Sequence, residues 1–409
     1  MLFYITKLPY LPIKTDYSKI LPELNSTDAL ELIDPKTGYL RQQGWGKYPN
    51  KWLYNPSMSK AWTWSKQFWN YYYIATDDYL VTMSHADIGM IRVSHINIRN
   101  IKNYTAEPFR EIVVEDVNKI FVEIDTEKNG QGIYSTVTNE KLNMTFYKRP
   151  ENNEGRIDIS AKALLPTGEG SSGSHSDHGS SDIETEIKGS FRTSFAEYEG
   201  IATVSEVPDA FQNCDSLCST KHVYTHKIQQ KFIGNLTLNG KTILDCNETN
   251  NCLGLSDSGR GHFPSFAGIS SIRWGWTSTI FKTDKHQIMI DLKYSDDNPN
   301  SSFDSVFVNG TMYKIDPMVK KQVDQDHWKW TKAENSNRYP NSLRLEFKRE
   351  HHSFTEFNYY PGFLKHFIPF KVDFYCKFGY YSGELKIGQE QTIKFKNKFG
   401  FFEEFYSLG

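Results

Sequence analysis

Residues 372–378, with the sequence VDFYCKF, carry an apolar side chain at every second position. This period is typical of a β-strand with one buried face. The residues that follow repeat it over 383–387, 392–396 and 401–406, with turn residues at Gly388-Gln389 and near 397–400. The end of the chain therefore predicts an antiparallel meander of four strands.

The same alternation recurs through most of the chain. It places apolar residues on one face at 120, 122 and 124, at 142, 144 and 146, at 157, 159 and 161, at 288, 290 and 292, and at 343, 345 and 347. Polar residues such as Arg344 and Glu346 stand between them, which is typical of antiparallel sheets with one wet face. The best helical candidate is 107–119, although its valines fit a strand nearly as well. The sequence therefore predicts an all-β fold.

Length and composition narrow the class of protein. A chain of 409 residues exceeds the roughly 250 to 300 residues at which a single core stops growing, so two domains are expected. The formal net charge of -2 provides no field that would attract nucleic acid or an anionic bilayer. The aromatic content of 15 % favours sheet structure and cavities for apolar or flat ligands.

Targeting signals bear on the compartment. Residues 1–12 contain two prolines and no apolar run of a secretory signal, and no segment has about 18 uninterrupted apolar residues. We therefore expect a cytoplasmic protein with no membrane span. Seven N-x-S/T sequons support the secreted alternative, but an Asn-rich chain also produces such triplets by chance.

Two Gly/Ser-rich stretches divide the chain. Residues 166–182, PTGEGSSGSHSDHGSSD, predict a long exposed loop. The cluster 254–261, GLSDSGRG, suggests a domain boundary near residue 255. The predicted organisation is an N-terminal extension over 1–29, a first domain over 30–254 and a second over 255–409.

Several short segments follow one another along the chain: LIDPKTG at 32–38, GWG at 44–46, HADIG at 85–89, VYTHK at 223–227, DSGRG at 257–261, WGW at 274–276, FGYYSG at 378–383 and FGFFEE at 399–404. Together, in this order, they resemble the DUF2804 family. That family in turn is similar to two-domain lipocalin-like proteins, which include carotenoid 1,2-hydratases, tocopherol cyclase and fungal pericyclase-type enzymes.

The resemblance implies two tandem lipocalin-like antiparallel β-barrels that hold a hydrophobic ligand. The enzymes carry a central motif of an acidic residue, His, any residue, Trp and Gly. Only the segment 257–261 stands in its place here. The chemistry of those enzymes therefore does not transfer directly to this chain.

The segment 257–276 holds the first candidate ligand site. Asp257 and Arg260, separated by Ser258 and Gly259, could pair in a turn and orient a polar group, or form a structural ion pair at a barrel mouth. Trp274 and Trp276 share a strand face and could line a cavity or belong to the core.

A second candidate site combines His85 with Asp87 on one strand face. A carboxyl group beside an imidazole in an apolar barrel could act as a general acid. The simpler interpretation, which we favour, makes these two a surface pair and places Asp77-Asp78 in a hairpin turn.

Cysteines and histidines leave three possibilities open. Cys214, Cys218, His222 and His226 are residue types found in zinc sites, but their spacing is loose. A disulfide among the loop cysteines, which include Cys246 and Cys252, is the second possibility. For a cytoplasmic protein we expect free thiols and no metal.

The sequence lacks the motifs of nucleotide hydrolysis, dinucleotide binding and α/β-hydrolase chemistry. The predicted function is binding of a hydrophobic, lipid-like or terpenoid-like small molecule, without a cofactor. One alternative is a cofactor-independent hydratase, isomerase or cyclase that acts on such a ligand through a buried carboxylic acid. Another is a carbohydrate-binding β-sandwich, since exposed Trp and Tyr stack on sugars. The sequence leaves the oligomeric state open.

Overall fold

A computed structural model gives the architecture of the chain. It describes residues 22–24, 30–47, 52–53, 66–87, 92–101, 111–118, 124–125, 133–138, 140–149, 154–165, 183–194, 198–206, 222–249, 252–262, 271–295, 304–334, 336–359 and 371–408. The regular elements within these ranges are all β-strands, so the prediction of an all-β fold is confirmed.

Within the described ranges, sixteen strands lie in the first two thirds of the chain and nine lie in the last third. The first group is β1 (Leu30–Glu31), β2 (Gly44–Gly46), β3 (Trp52–Leu53), β4 (Lys66–Ala75), β5 (Tyr79–Asp87), β6 (Arg92–Asn100), β7 (Glu111–Asn118), β8 (Ile124–Asp125), β9 (Ile133–Thr138), β10 (Leu142–Arg149), β11 (Glu154–Leu165), β12 (Ile183–Ser194), β13 (Gly200–Glu206), β14 (His222–Leu238), β15 (Lys241–Cys246) and β16 (Cys252–His262). The second group is β17 (Ser271–Lys282), β18 (Gln287–Ser295), β19 (Ser305–Val308), β20 (Thr311–Lys314), β21 (Met318–Asp324), β22 (His327–Lys332), β23 (Ser342–Tyr359), β24 (Lys371–Ile387) and β25 (Gln391–Leu408).

The first large sheet is antiparallel and curls on itself. Its main path runs β7-β6-β5-β4-β16-β14-β12-β11-β10-β9-β8. Side chains of β5 and β9, which are distant in this order, meet across the concave side, where His85 Nδ1 lies 3.0 Å from Ser135 Oγ. An apolar core that includes Tyr72, Phe146 and Phe191 fills one part of this interior.

The second large sheet has nine strands in the order β20-β19-β18-β17-β25-β24-β23-β22-β21. Its concave side holds a separate aromatic core, in which Trp330 and Phe402 pack edge to face with ring centroids 5.4 Å apart. The chain therefore forms two curled antiparallel half-barrels, as predicted.

The convex faces of the two sheets pack against each other. Trp276 of the second sheet contacts Tyr71 of the first, with ring centroids 5.2 Å apart, and Tyr71 also contacts Phe401. The hydroxyls of Tyr73 and Ser278 lie 2.8 Å apart across the same interface. This intersheet layer buries aromatic side chains that alternate with those of the two concave cores.

Of the two turns predicted for the C-terminal meander, the one at Gly388-Gln389 is confirmed and the one near 397–400 is wrong. The structure has two long strands, β24 and β25, with one tight turn over 388–390. The second predicted turn, near 397–400, is a bulge inside β25, where Tyr381 pairs with Lys398 but Gly383 pairs with Phe395. Asn397 absorbs the extra residue with a φ of 53°, which asparagine tolerates better than most residues.

Both faces of β24 are buried, each against a different part of the molecule. Cys376 and Phe378 are buried in the intersheet layer, whereas the barrel interior receives Tyr381 and Leu385 from the other face. Period-two patterns identify a buried face, but they do not tell which sheet covers it.

Three other predictions concern the connections. The helical candidate 107–119 contains strand β7, because its β-branched residues pair with β6 and bury Ile112 and Val114. Strand β16 crosses the predicted domain boundary at 254/255 and pairs with β14 and β4, and the second large sheet begins only at Ser271. The division into domains stays a proposal, and the predicted loop 166–182 lies outside the described residues.

The prediction of five free thiols is wrong for one pair. Cys246 and Cys252 form a disulfide between the end of β15 and the start of β16. Disulfides persist mainly in oxidising compartments, so cytoplasmic localisation stays a prediction. In the part of the chain that the structure describes, no helix is long and apolar enough to cross a membrane.

Candidate functional site

Two groups of buried polar side chains stand out, one on each face of the same strands. The first lies in the intersheet layer and is called the intersheet cluster; it consists of Trp69, Lys227, Asp257, Trp276, Asp291, Lys293 and Glu403. The second lies on the concave side of the first sheet and is called the polar interior; it consists of Asn70, His85, Ser135, Lys148, His226, Gln230, Ser256, Ser258 and Arg260.

Lys227 is the centre of the intersheet cluster. Its Nζ lies 3.0 Å from Asp291 Oδ1 and 3.6 Å from Asp257 Oδ2, and its side chain is only 1 % exposed. Nζ also lies 3.8 Å from the centre of the Trp276 ring, at cation-π distance. One buried ammonium group thus joins a carboxylate of each sheet.

Two indole groups also donate hydrogen bonds to these carboxylates. Trp276 Nε1 donates to Asp291 Oδ1 at 2.5 Å, and Trp69 Nε1 donates to Asp257 Oδ1 at 3.2 Å. Hydrogen bonds to charged acceptors are the stronger ones, and they hold both carboxylates in place. The cluster is therefore fixed from both sheets.

Glu403 differs from the other acids of the cluster. Glu403 lies on β25, and its side chain is buried beside Trp276 of β17. Burial raises the pKa of Glu403 to about 8, although the nearby charge of Lys227 lowers it. Burial also raises the pKa of Asp291. At neutral pH Glu403 thus carries a proton that it can donate.

The bulge in β25 decides where Glu403 points. Ile393 and Phe395, before the bulge, face the concave core, and so does Phe402 after it. Side chains alternate along a strand, so odd-numbered Glu403 would face that core as well without the extra residue at Asn397. The bulge turns Glu403 into the intersheet layer.

The polar interior lies behind this cluster, on the other face of β4, β14 and β16. Asn70 Nδ2 donates to Ser135 Oγ at 3.2 Å, and the same hydroxyl lies 3.0 Å from His85 Nδ1. Lys148 Nζ lies 3.0 Å from His226 Nε2. Because these contacts join strands that are not neighbours, the side chains meet across the concave side of the sheet.

Several polar atoms of this interior have no hydrogen-bond partner among the described residues. They are His85 Nε2, His226 Nδ1, Ser256 Oγ, Ser258 Oγ and both amide atoms of Gln230. Buried polar groups are nearly always paired, and each unpaired one costs about 1–3 kcal/mol. Because they all face one interior, that interior is suited to the polar group of a bound molecule or to water.

Burial lowers the pKa of three basic groups of the polar interior, Lys148, His85 and His226. It lowers the pKa of Lys148 to about 7, and the charge of Arg260 adds to the effect. Burial lowers the pKa of His85 to about 3 and that of His226 well below its usual value. These groups can accept or donate hydrogen bonds as neutral species.

The predicted pair of Asp257 and Arg260 is wrong. Both lie in the regular strand β16, three positions apart, so their side chains point to opposite faces. Asp257 belongs to the intersheet cluster, where it pairs with Lys227, and Arg260 belongs to the polar interior. The segment is a strand and not the turn that Gly259 suggested. The glycine is required for packing instead, since a Cβ at this position would clash with the Trp69 ring.

The other predicted residues separate in the same way. Trp276 is buried in the intersheet cluster, and His85 is fully buried in the polar interior, which excludes the surface pair. Asp77 and Asp78 lie in the bend between β4 and β5, as predicted. The side chains of Trp274 and Asp87, although both residues lie in strands, are outside the described part of the structure.

The zinc hypothesis involved four residues. Cys214 and Cys218 lie outside the described residues, and so does the side chain of His222. His226 contacts Lys148 instead of a metal ligand. Within the described ranges, no three His, Cys, Asp or Glu side chains are grouped as a metal site requires.

The sequence did not single out Lys227, Asp291, Glu403 or Lys148. Each is a charged residue within an alternating strand, and such residues usually face solvent. One signal could have directed attention to Glu403: it follows two phenylalanines in the run FGFFEE at 399–404.

A comparison with solved structures found several distant similarities. The crystal structure of CghA aligns with a TM-score of 0.42 and 10 % identity, and covers 83 % of this chain and 88 % of that one. The structure of CghA with Sch210972 gives a TM-score of 0.40, 11 % identity and coverage of 84 % and 89 %. An AttH-type protein from Nitrosomonas europaea gives 0.37, 8 %, 83 % and 91 %. No curated protein matches the sequence significantly.

The fold and its buried polar groups define a protein of two curled antiparallel half-barrels, packed back to back, with ionisable side chains inside. The family model named "Domain of unknown function (DUF2804)" matches residues 23–408. The chain therefore belongs to the DUF2804 family, as its motifs suggested.

Proposed function

We propose that the protein binds a mostly apolar small molecule that carries a polar group, on the concave side of the first sheet. The observation that supports this most strongly is the set of unpartnered polar atoms next to an apolar core. Tyr72 and Phe146 pack against each other beside His85, so aromatic rings and unsatisfied hydrogen-bonding groups line one interior. A ligand with an apolar body and a polar end satisfies both.

The test uses a dansyl-labelled fatty acid, whose fluorescence rises in an apolar environment. Replacing Ser258 by Phe fills the polar interior, and we expect this variant to fold and to lose the fluorescence increase. Ser160 lies on the outer face of β11, so Ser160→Phe is the matched control and should bind like the parent protein. Equal binding by Ser258→Phe, or no binding by the parent protein, would refute the proposal.

A second variant addresses the polar groups themselves. Gln230→Leu keeps the side-chain volume and removes an unpartnered buried amide, so it should raise the free energy of unfolding by about 1–3 kcal/mol without ligand. It should also weaken binding of the dansyl fatty acid. Native mass spectrometry of the purified protein, followed by organic extraction, would identify any molecule that copurifies.

An enzymatic function at the intersheet cluster is the second candidate, a cofactor-independent hydratase, isomerase or cyclase. Glu403 supports it, since a protonated carboxyl group in an aromatic layer can protonate an alkene or a carbonyl. Gln229, on the same face as Lys227, adds a buried amide with both polar atoms unpartnered.

Deuterium incorporation tests the catalytic candidate. The molecule extracted from the protein is incubated with fresh protein in D2O, and proton transfer to carbon then leaves deuterium in it. Glu403→Gln should abolish the incorporation, whereas Glu404→Gln, the neighbouring acid that pairs with Lys320, should retain it. Equal incorporation by Glu403→Gln would exclude Glu403 as the acid.

The described residues give little support to the carbohydrate-binding alternative. It required exposed aromatic platforms, and of the large hydrophobic residues that the structure describes as exposed, only Tyr39 is aromatic. Trp45, Trp52, Trp328 and Trp330 are all buried.

A further inference from the structure

Lys148 is a buried lysine in an unusual setting. It is 3 % exposed on the inward face of β10, and its amine contacts an imidazole across the concave side of the first sheet. A second basic group, Arg260, is close enough to disfavour positive charge on both. This grouping favours a neutral amine at Lys148 Nζ.

Two features of His226 make it a suitable partner for such an amine. Its Nδ1 has no partner among the described residues, so the tautomer with the proton on Nδ1 leaves Nε2 free to accept from Lys148. The ring is held from one side by Tyr224, with centroids 5.4 Å apart. Nε2 is therefore positioned to relay a proton from the nitrogen during a reaction without a large movement.

We propose that Lys148 forms an imine with an aldehyde or ketone group of the bound apolar molecule. This inference rests on the proposed function, because it takes the polar interior as the place where the polar end of the ligand lies. It adds the chemical class of that end, a carbonyl group.

The reaction is a condensation that needs no oxidant or reductant. The Nζ lone pair attacks the carbonyl carbon and a C–N bond forms; His226 Nε2 accepts a proton from the nitrogen and passes it to the alkoxide oxygen, which gives a neutral carbinolamine. The remaining N–H proton then passes by the same route to the hydroxyl group, which leaves as water while C=N forms. Arg260 is placed to stabilise negative charge that develops on the oxygen.

The environment also explains why Lys148 would react in preference to other lysines. Burial lowers its pKa to about 7, so roughly half of it is free amine at neutral pH. An exposed lysine with an unperturbed pKa has a free-amine fraction on the order of 10³-fold smaller. Lys241 and Lys321, which are exposed, provide internal controls in the same molecule.

The experiment traps the imine. The full-length protein is incubated at pH 7 with decanal and sodium cyanoborohydride, and peptide mapping locates the added alkyl group. We expect one alkyl group per chain, on Lys148, formed at least about tenfold faster than at Lys241 and Lys321. Lys148→Met should lose this rapid adduct, and His226→Gln should slow it. Uniform alkylation of surface lysines in the parent protein would overturn the inference, whether or not the variants fold.

A parallel measurement separates this inference from the proposed function. Decanal and decanol are each tested for displacement of the dansyl fatty acid. If both displace it and no adduct forms at Lys148, the imine is excluded and the binding site stands. If the parent protein does not bind the dansyl fatty acid, the proposed function fails. An adduct on Lys148 whose formation decanol suppresses supports both the imine and the proposed binding site.

Discussion

Replacing Lys227 by Met should be among the most destabilising single changes in the chain. The variant leaves Asp257 and Asp291 buried between two sheets without their shared counter-ion. Removing one partner of a buried ion pair typically costs about 3–5 kcal/mol, because the remaining charge stays desolvated. The methionine retains the apolar stem beside the Trp276 ring, so the loss reports on charge more than on packing.

The pH dependence of this loss follows from the carboxyl groups. Lys227 lowers the pKa of Asp291, so the variant raises that pKa further above the unfolded value of about 3.9. The native variant then binds more protons than the unfolded chain, and its stability falls as pH rises from about 4 through the raised pKa. We therefore expect a smaller loss at pH 5 than at pH 8.

Urea unfolding monitored by tryptophan fluorescence measures the effect, because Trp276 lies in the cluster. Lys293→Met is the matched control, since Lys293 is only half-buried at the edge of the same cluster and should cost less. The double replacement of Lys227 by Met and Asp291 by Asn should recover part of the loss. A loss below about 1 kcal/mol at pH 8 would refute the central role of Lys227.

Three further predictions follow from the structure and the sequence. Glu403 has a pKa of about 8 in the folded protein, above its value in the unfolded chain, so its contribution to stability is complete at acidic pH and is lost as pH rises towards 8. The variant Glu403→Gln should remove this part of the pH dependence of stability, and chemical unfolding between pH 5 and 9 would measure it. The Cys246–Cys252 disulfide leaves at most three of the five cysteines free, so thiol titration after denaturation without reductant should give three equivalents or fewer, and five equivalents would exclude the disulfide. Replacing both cysteines by Ser should lower the free energy of unfolding by about 2 kcal/mol. Limited proteolysis should cut first within 166–182, and deletion of most of that stretch should leave the melting temperature nearly unchanged; strong destabilisation would contradict a loop there.

Much of the secondary structure could be predicted because alternation is a local property. The patterns at 142–146, 157–161, 288–292 and 343–347 all fall in strands whose apolar residues are buried. Two predictions of secondary structure were wrong, the turn near 397–400 and the helix over 107–119. A left-handed Asn397 converts a predicted turn into a bulge, and pairing with β6 extends a valine-rich segment into a strand instead of a helix.

The candidate site was predictable only in part. Asp257, Trp276, His85 and Arg260 were identified from the sequence, and all four are buried. Asp257 and Trp276 do lie in one cluster, but the pairing of Asp257 with Arg260 was wrong, because spacing assigns faces only when the segment is known to be a strand. The partners that give these residues their chemistry, Lys227 and Lys148 among them, come from strands far away in sequence.

The sequence by itself determined the class of fold, an antiparallel all-β chain with family motifs in order, since period-two patterning is encoded within each strand. Only the tertiary structure decided which buried strand faces pack against each other. Back-to-back packing of two sheets encloses Lys227 between two carboxylates, and curling of the first sheet brings Lys148 to His226. The physical reason is that desolvation and charge pairing depend on distances through space, and the order of residues along the chain does not contain those distances.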